Sequence, residues 1–435
     1  MTPQTWANWA GNVTARPAEV VLASSVDDVV AAVGRAGRDG AVVRVAGTGH
    51  SFTPLVATDG VLLRVDGLRG VTGVDLDTRR VRVAAGTPLH ELNPALQALG
   101  LALPNLGDID RQTISGAIAT GTHGTGVRRQ GIAAAVRGLT LVLADGSVVR
   151  CSAQEEADLF EAARVGLGAL GVVVEVELQC VPAFRLHAKE GSAALSTLLP
   201  RIQEEADAHD HLDVHWFPHT DRCLVKRNDV VGAGEGPPAL PAWRARLDDD
   251  LLSNRVFEGL NRVVARRPGL TPTVNRMAAR VLGAREFTDD SWKVFCSARE
   301  VRFVESEYAV PRHAVEAVLG ELRAWFDRTR EPVPFPVEVR FTGTDGVWLS
   351  TAHERENAYV AVHQYHRMDP RALFAAFEAI VAEHEGRPHW GKVHTLRADP
   401  LRELYPRFDD VLAVRDRVDP HRRFTNDHVR DLLGS

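Results

Sequence analysis

Short apolar runs alternate with helically spaced stretches over the first part of the chain. Residues 24–38 space their apolar positions as a helix does behind a serine cap, and residues 87–100 repeat that spacing and end in glycine. β-Branched runs between turn signals predict strands at 41–47, 61–68, 79–86 and 139–152, the last of them a hairpin. We therefore expect a unit of mixed helices and strands over residues 1–182.

From residue 183 the pattern changes to alternation of apolar and polar positions, which is typical of antiparallel strands. It occurs at 211–219, 223–229, 294–310 and 336–343. Helical spacing predicts two long helices, at 313–329 and 370–386. A proline- and glycine-rich stretch at 230–243 predicts a surface loop. The fold class is therefore predicted to be α+β, with residues 183–399 forming an antiparallel sheet with covering helices.

Composition narrows the class of protein. The chain has 435 residues, 45% hydrophobic and 25% charged, as expected of a globular protein of two domains. A formal charge of −6 argues against a nucleic-acid partner, and no apolar run is long enough for a transmembrane segment. The start shows no signal peptide and the scattered cysteines form no CxxC. We predict a cytoplasmic protein, with peripheral membrane contact left open.

Lysine is scarce among the cations of this chain. The 51 basic residues include only four lysines, Lys189, Lys226, Lys293 and Lys392. A GC-rich genome explains the scarcity, yet each lysine marks a position where arginine was not used.

Two sequence patterns resemble ligand-binding motifs, one for a dinucleotide and one for a metal, but the residues around them argue against both. Residues 166–171, GLGALG, have the spacing of a dinucleotide loop but follow a predicted helix and precede a predicted strand, which is the reverse of the order required. His209, His211, Asp213 and His215 share one face of a predicted strand and could bind a divalent metal. A solvated strand face is the more common explanation, and no second ligand cluster supports a metal, so none is predicted.

Two glycine-rich stretches are more informative. The first is Val45–Phe52, directly after a predicted strand, and the second is Asn105–Gly126. Such density of small residues lets the backbone approach a ligand closely, and successive N–H groups can hold a pyrophosphate. Alanine, threonine and glycine alternate at 117–126, which suits neither a core strand nor a helix. A large ligand lying along these stretches is expected.

These motifs resemble the FAD-binding domain of the vanillyl-alcohol oxidase superfamily. Within it the chain is similar to the sugar-lactone oxidase group, which comprises gulonolactone, galactonolactone and arabinonolactone oxidoreductases, with the alditol oxidases as relatives. The motifs that carry the resemblance are WANW (6–9), GTGHSF (47–52), ATGTHGTG (119–126), WFPHTDR (216–222), VEVRF (337–341), HWGK (389–392) and DPHRRFTN (419–426). It implies a PCMH-type FAD-binding domain, residues 1–182 completed by 400–435, and a substrate-binding cap domain, residues 183–399.

The resemblance also implies which residues hold FAD. His50 occupies the position whose ring nitrogen is commonly bonded to the flavin 8α-methyl, although a turn histidine without that bond is the alternative. The remaining FAD contacts implied are Ala46, Gly47, Thr48, Gly49, Ser51, Asp108, Thr113, Ser115, Gly116, Thr120, Gly121, Thr122, His123, Val173 and His389.

Catalytic roles follow from the same resemblance. Glu338 and Arg340 would lie about 6.5–7 Å apart on one strand face, over the flavin, where Arg340 stabilises the reduced ring and Glu338 orients it. Lys392 would bind the hydroxyl being oxidised and, once desolvated, lose its proton at moderate pH, which arginine cannot do. His363 would accept the alcohol proton, with a buried structural histidine as the alternative. Hydride would pass to flavin N5.

Substrate and acceptor are less constrained by the sequence. Gly107 stands where small residues admit oxygen, which favours an oxidase producing H2O2, while a dehydrogenase with another acceptor stays open. Asp108 stands where alditol oxidases carry serine, which favours an aldono-1,4-lactone over an alditol. A flavin-binding protein without chemistry and a metal hydrolase are the alternatives of other classes.

Overall fold

The computed structural model describes residues 5–232, 234–241, 255–281, 283–297 and 299–434. Its strands, in chain order, are β1 Trp6–Ala7, β2 Thr14–Ala15, β3 Glu19–Leu22, β4 Val43–Ala46, β5 Val61–Arg64, β6 Val71–Asp75, β7 Arg80–Ala84, β8 Leu101–Ala102, β9 Val136–Val142, β10 Val148–Ser152, β11 Val172–Gln179, β12 Val181–Pro182, β13 Arg185–Ala194, β14 His211–Trp216, β15 Arg222–Val231, β16 Arg285–Asp290, β17 Phe303–Pro311, β18 Val337–Thr342, β19 Asn357–Tyr365 and β20 Arg387–Pro388.

The α-helices are α1 Val26–Arg38, α2 Leu89–Ala98, α3 Ile114–Ala119, α4 Ala157–Ala163, α5 Leu195–Leu198, α6 Ile202–Ala208, α7 Phe257–Arg266, α8 Thr271–Val281, α9 Ser291–Phe295, α10 Val315–Thr329, α11 Arg371–Ala382, α12 Ala398–Leu404, α13 Phe408–Val418 and α14 Asp427–Leu433. Short 3-10 turns occur at Pro54–Val56, Ile132–Ala135, Leu199–Arg201, Pro268–Leu270 and Arg312–Ala314. No helix among the described residues is both long enough and apolar enough to cross a bilayer.

Two sheets form in the first part of the chain. Strands β3, β5 and β4 are parallel in that order, and a separate antiparallel sheet has the order β10-β9-β11-β7-β6. Helix α1 covers the parallel sheet, and its start is fixed by a capping box in which Ser25 and Asp28 each accept the other's backbone N–H. Its buried residues, Val29, Ala32, Val33 and Ala36, join one hydrophobic cluster with Val43, Val61 and Leu63 of the sheet.

The end of the chain returns to its beginning. The guanidinium of Arg423 donates to the carbonyls of Ala36 and Ala41, and the side-chain amide of Asn426 donates to the carbonyl of Pro54. These contacts support the prediction that the C-terminal segment completes the N-terminal unit. The domain boundaries themselves stay a prediction.

Arg44 joins three loops to strand β4. Its buried guanidinium donates hydrogen bonds to the carbonyls of Leu55, Leu167, Gly168 and Phe424. Burial lowers the pKa of Arg44 to about 9, so the cation persists at neutral pH. A single side chain thereby fixes the GLGALG turn and the C-terminal segment against the first glycine-rich stretch.

An eight-stranded sheet dominates the second part, in the order β16-β13-β15-β14-β18-β19-β17-β20, with the described pairs antiparallel. One face is apolar and packs against α10 and α11, where Val339 and Val360 of the sheet share a cluster with Leu319 and Phe377 of the helices. The other face carries charged side chains. The predicted α+β class, with an antiparallel sheet and covering helices, is confirmed.

Local predictions differ from the structure at two places. The alternation at 294–310 predicts one long strand, but residues 291–295 form α9 and β17 begins only at Phe303. The start of the predicted loop at 230–243 is the end of β15, and residues 233 and 242–243 lie outside the described residues. All four cysteines are free thiols, as the absence of a CxxC motif suggested.

Candidate active site

One face of the eight-stranded sheet carries charged side chains that are nevertheless buried. Strands β14, β18, β19 and β17 lie side by side, and their registers place His215 opposite Glu338 and Glu305 opposite His363. Alternation puts Arg340 on the same face as Glu338. The intervening residues point to the other face and form the apolar core. Strand periodicity and the order of the strands together gather carboxylates, histidines and an arginine on this face.

Glu338 and Arg340 form an ion pair at the centre of this face. Nη2 of Arg340 contacts Oε1 of Glu338 and also lies 3.5 Å from Asp108 Oδ2 and 3.6 Å from Asp213 Oδ2. Burial raises the pKa of Glu338. Burial opposes the charge of Arg340, but the three carboxylates outweigh it and raise the pKa of Arg340 well above its ordinary value. Arg340 is therefore a fixed cation shared by three acids.

Asp108 belongs to the second glycine-rich stretch and is held by two arginines. Its Oδ2 lies 2.5 Å from Nη2 of Arg299, and its carbonyl accepts the N–H of Ser297 at 2.9 Å. Burial alone would raise the pKa of Asp108, but Arg299 and Arg340 lower it below its usual range. Beside it, Gly107 has little room for a side chain, because a Cβ there would lie 3.2 Å from the carbonyl of His123.

Lys392 contacts one glutamate and lies near a second beside the same site. Its Nζ lies 2.5 Å from Oε2 of Glu305 and 3.9 Å from Oε2 of Glu307, and 5.2 Å from the centre of the Phe52 ring. The sequence suggested that burial would let this amine lose its proton at moderate pH. Burial does act in that direction, but the two glutamates outweigh it and raise the pKa of Lys392. The structure corrects that expectation, because the paired amine is an ammonium.

His363 bridges the two halves of this charged face. Its Nε2 lies 3.5 Å from Oε1 of Glu305 and 4.0 Å from Oε2 of Glu338, and its Nδ1 lies 3.2 Å from the carbonyl of Pro336. A carbonyl only accepts, so Nδ1 carries a proton and Nε2 faces the carboxylates. Burial lowers the pKa of His363, but Glu305 outweighs burial and the net shift is upward.

His123 and His389 flank Glu307. Nε2 of His123 lies 3.2 Å from Oε1 of Glu307, and its Nδ1 lies 3.0 Å from the carbonyl of Gly124. His389 accepts the N–H of Gly391 at Nδ1, and burial lowers the pKa of His389 to about 3, so this ring is neutral. Nδ1 of His123 therefore donates a hydrogen bond, whereas Nδ1 of His389 accepts one.

The two glycine-rich stretches meet and form one wall of a deep groove. Gly49 has φ +73°, a conformation that disfavours other residues. A Cβ on Gly47 would lie 2.6 Å from Oγ1 of Thr113, so only glycine permits the contact between the stretches. Thr113 also caps α3 by accepting the N–H of Gly116. The predicted residues that line this groove are Gly47, Thr48, Gly49, His50, Ser51, Thr113, Ser115, Gly116, Thr120 and Val173.

The GLGALG turn forms the opposite wall. It connects α4 to β11 as a helix-to-strand turn, in agreement with the sequence analysis, and Leu167 and Gly168 have positive φ. The space in the groove and at its open mouth amounts to about 1020 Å³. A second cavity of about 590 Å³ shares His50, Ser51 and Thr120 with it and extends to Arg340 and Lys392. Gly107, Asp108, Thr122, His123 and His389 line that second cavity.

The groove fits FAD on structural grounds. The backbone N–H groups of residues 48–51 have no acceptor among the described residues, although they border the groove. A row of unpaired N–H groups beside a groove suits a pyrophosphate. The two joined cavities give an elongated space with a narrow glycine-walled part and a charged end. Ala46 ends β4 immediately before this loop, and Gly121, with φ +77°, turns the chain out of α3.

His50 lies where the groove meets the charged cavity. Its ring stacks on Trp9 with 5.7 Å between centroids. Burial, helped by the charge of Lys392, lowers the pKa of His50 to about 4. The imidazole is therefore neutral at physiological pH, which a nucleophilic ring nitrogen requires.

The second glycine-rich stretch is also bonded to the large sheet. The N–H of Gly126 donates to the carbonyl of Phe341 at 2.7 Å, and a bridge pairs Gly126 with Thr342. Nδ1 of His211 lies 2.7 Å from the carbonyl of Thr125. The loop beside the groove and strands β14 and β18 thereby form one connected framework.

The histidine-rich segment 209–215 differs from the solvated face that the sequence suggested. His211, Asp213 and His215 are buried on β14, whereas His209 lies before the strand and pairs with Asp229. Nε2 of His215 lies 3.3 Å from Oδ1 of Asp213. Asp213, His215 and Glu338 have donor atoms close enough to hold a metal, as do His123, Glu307 and His389, but both groups lie against the cation of Arg340 or Lys392.

Three residues of this site were missed in the sequence. Glu305 and Glu307 form a same-face pair in FVESEYAV, the same signal that identified Glu338 and Arg340, but no glycine motif or recognised motif drew attention to it. Arg299 follows a helix at an irregular position and has no periodic signal. Of the four predicted catalytic residues, Arg340 and Lys392 line the second cavity. Glu338 contacts Arg340, and His363 lies 3.5 Å from Glu305, which also pairs with Lys392.

Comparison with known proteins gives a consistent picture. The sequence profile of the D-arabinono-1,4-lactone oxidase family matches residues 176–432, and that of an FAD binding domain matches residues 17–152. The chain is 40% identical to an L-gulono-1,4-lactone dehydrogenase of Mycobacterium tuberculosis, covering 99% of both chains. It is 34% identical to an alditol oxidase of a Streptomyces species, covering 98% of both. A solved cholesterol oxidase of Brevibacterium sterolicum shares the fold, with TM-score 0.84, 18% identity and coverage of 99% and 97%.

The pair of His363 and Glu305 predicts a pH-dependent stability. Since pairing raises the pKa of His363 above its ordinary 6.5, its stabilising effect is complete below pH 6.5 and is lost as the pH rises through the raised value. We expect the free energy of unfolding, measured by urea denaturation, to fall with rising pH over that range, and His363→Gln to flatten this fall. His313→Gln, at an exposed histidine, is the control. An unchanged slope in His363→Gln would contradict the assignment.

Proposed function

Because the chain belongs to the D-arabinono-1,4-lactone oxidase family and is an FAD-dependent oxidoreductase of sugar-derived substrates, we propose that it oxidises an alcohol group of an aldono-1,4-lactone. The observation that supports this most is that Arg340, which is paired with buried Glu338, lines the same cavity as Lys392. That cavity shares His50, Ser51 and Thr120 with the glycine-walled groove. Gulono-, galactono- and arabinono-lactones are the candidate substrates.

The choice of a lactone over an alditol rests on Asp108. The alditol oxidases carry a serine there, whereas this chain has a carboxylate whose Oδ2 is bound to Arg299 and Arg340, and which offers no hydroxyl group to an alditol. The greater identity to a lactone dehydrogenase than to an alditol oxidase agrees with this. Oxidation of an alditol or another polyol is the second candidate.

The roles proposed for the side chains follow from their charges. FAD, when bound, supplies the hydride acceptor at its N5. Lys392, held as an ammonium by Glu305, donates a hydrogen bond to the substrate oxygen. His363 accepts the hydroxyl proton at Nε2 once it is neutral, which requires a pH above its raised pKa. Arg340 supplies fixed positive charge beside the reacting centre, and Glu338 orients it.

The electron acceptor proposed is O2, reduced to H2O2. Gly107 supports it, because it lines the second cavity and no side chain projects from this position. A dehydrogenase that uses another acceptor is the alternative, and the name of the M. tuberculosis relative favours it.

The function is tested by anaerobic titration of the purified protein with lactones and alditols. We expect a lactone to bleach the visible flavin band at lower concentration than any alditol. Reaction under air should then yield stoichiometric peroxide if O2 is the acceptor, whereas dye reduction under nitrogen without peroxide under air indicates a dehydrogenase. Bleaching by alditols alone would overturn the lactone assignment.

Substitutions at Arg340 and Lys392 should separate flavin binding from turnover. Arg340→Ala and Lys392→Ala are expected to retain FAD and to lose about 10²-fold or more in kcat. Lys392→Arg keeps the charge but replaces a compact ammonium between two glutamates by a planar fork, and should lose activity to a similar degree. Lys189→Arg, at an exposed lysine, is the matched control. Wild-type kcat in these variants would refute the roles proposed.

A covalent bond between His50 and FAD is proposed from the neutral, partly enclosed imidazole. We expect the yellow colour to precipitate with the protein in acid, and His50→Ala to release it into the supernatant. His313→Ala is the control for a histidine change elsewhere. Complete release of flavin from the wild-type protein would show that the bond is absent.

A further inference from the structure

A helical hairpin on the second part of the chain exposes apolar side chains at regular intervals. It consists of α7 and α8, with a tight turn between them. Val256, Val263, Leu270 and Met277 stand seven residues apart along it and are between 40% and 56% exposed. They are four of the ten large hydrophobic residues exposed in the described part of the chain. Chance scatter over the surface would not concentrate them in so short a stretch.

The same hairpin is strongly basic. Residues 255–281 contain six arginines and one acidic residue, Glu258, a formal charge of +5 in a chain whose formal charge is −6. Glu258 neutralises only Arg262. The arginines without a carboxylate partner among the described residues are Arg255, Arg266, Arg267, Arg276 and Arg280. Within the described part of the chain, carboxylates therefore do not balance the positive charge of this surface.

The opposite face of the hairpin is anchored. The side-chain amide of Asn275 donates to the carbonyls of Pro218 and Val333, and the ring of Phe257 packs at 4.9 Å from that of Phe335. Val264 is completely buried on α7, while Val263 and Arg266 lie on the exposed side. One face of the hairpin therefore packs against the rest of the protein. The other face, which carries the arginines and the exposed apolar side chains, points outward.

We propose that this outward face binds the surface of an anionic lipid bilayer. Arginines interleaved with apolar side chains suit that surface, because the guanidinium groups contact the headgroups while the apolar side chains enter the interface. A protein partner is less well matched, since protein interfaces depend on aromatic anchors and the single aromatic residue of 255–281, Phe257, faces inward.

Contact with a bilayer at this place would be close to the proposed active site. The hydroxyl of Tyr365 on β19 donates to Glu258 of α7, and the ring of Phe335 stacks at 6.2 Å from that of His363. The hairpin therefore rests on the end of the strand that carries His363. The lipid surface and the site lie on connected elements, although lipid binding does not depend on the proposed function.

Flotation of the full-length holoenzyme with vesicles tests the proposal. We expect binding to phosphatidylcholine vesicles that contain phosphatidylglycerol and none to phosphatidylcholine alone, with weakening at high salt. The variant R266Q/R267Q/R280Q should bind about tenfold or more weakly. The matched control R35Q/R201Q/R371Q removes the same charge from exposed arginines elsewhere and should bind as the wild type does. V263S/M277S should reduce the binding that persists at high salt.

Three results would overturn the proposal. One is equal binding of the wild type to both kinds of vesicle, or to neither. Another is equal loss of binding in the hairpin variant and its control. The third is concentration-dependent self-association that the hairpin variant abolishes, without vesicle binding, since this would assign the face to a second copy of the chain. Circular dichroism and flavin absorbance of each variant establish that the fold is retained.

Discussion

Four buried carboxylates lie together with the half-buried Asp108 where three strands of the large sheet meet the loop at Gly107–Asp108. They are Asp108, Asp213, Glu305, Glu307 and Glu338. A buried carboxylate without a partner costs several kcal/mol, so each must contact a cation. Arg299 and Arg340 bind Asp108, and Lys392 binds Glu305. Ring nitrogens of His123 and His215 lie 3.2 Å from Glu307 and 3.3 Å from Asp213. The positions of the reactive side chains follow from this requirement, because none of the cations can move without exposing an acid.

The groove and the second cavity stabilise charge in different ways, one with backbone dipoles and the other with charged side chains. The groove is walled by glycines and offers unpaired N–H groups, with Arg44 turned toward backbone carbonyls instead of the ligand space. The far cavity is built from full charges on strands. Dipoles suit a diphosphate that must be held along its length, and rigid charges suit a small substrate whose protonation changes during reaction. Neutral His50 stands at the junction of these two environments.

The sequence predicts which side chains share a face of one strand. It does not predict which strands are neighbours in the sheet. Period-two alternation was sufficient to place Glu338 with Arg340, and His211, Asp213 and His215, on single faces. It could not reveal that β14 and β18 are neighbours, so the histidine-rich strand was interpreted as solvated when it borders Arg340. The raised pKa of Lys392 escapes prediction from the sequence for the same reason. Its burial was foreseeable, but Glu305 and Glu307 come from a strand nearly ninety residues away and only the sheet order brings them there.

The hydrogen bond from Gly126 to Phe341 has a consequence for how substrate reaches this cavity. This hydrogen bond, the bridge to Thr342 and the contact of His211 with Thr125 join the groove loop to the large sheet. That sheet covers the charged end of the cavity. A hinge opening between these parts would have to break buried hydrogen bonds at every turnover. The framework therefore favours an open aperture of constant width. Small sugar-derived substrates would diffuse through it without a hinge movement. Selectivity would then depend on the width of that aperture and on the charges beyond it, and it would not require a closing movement.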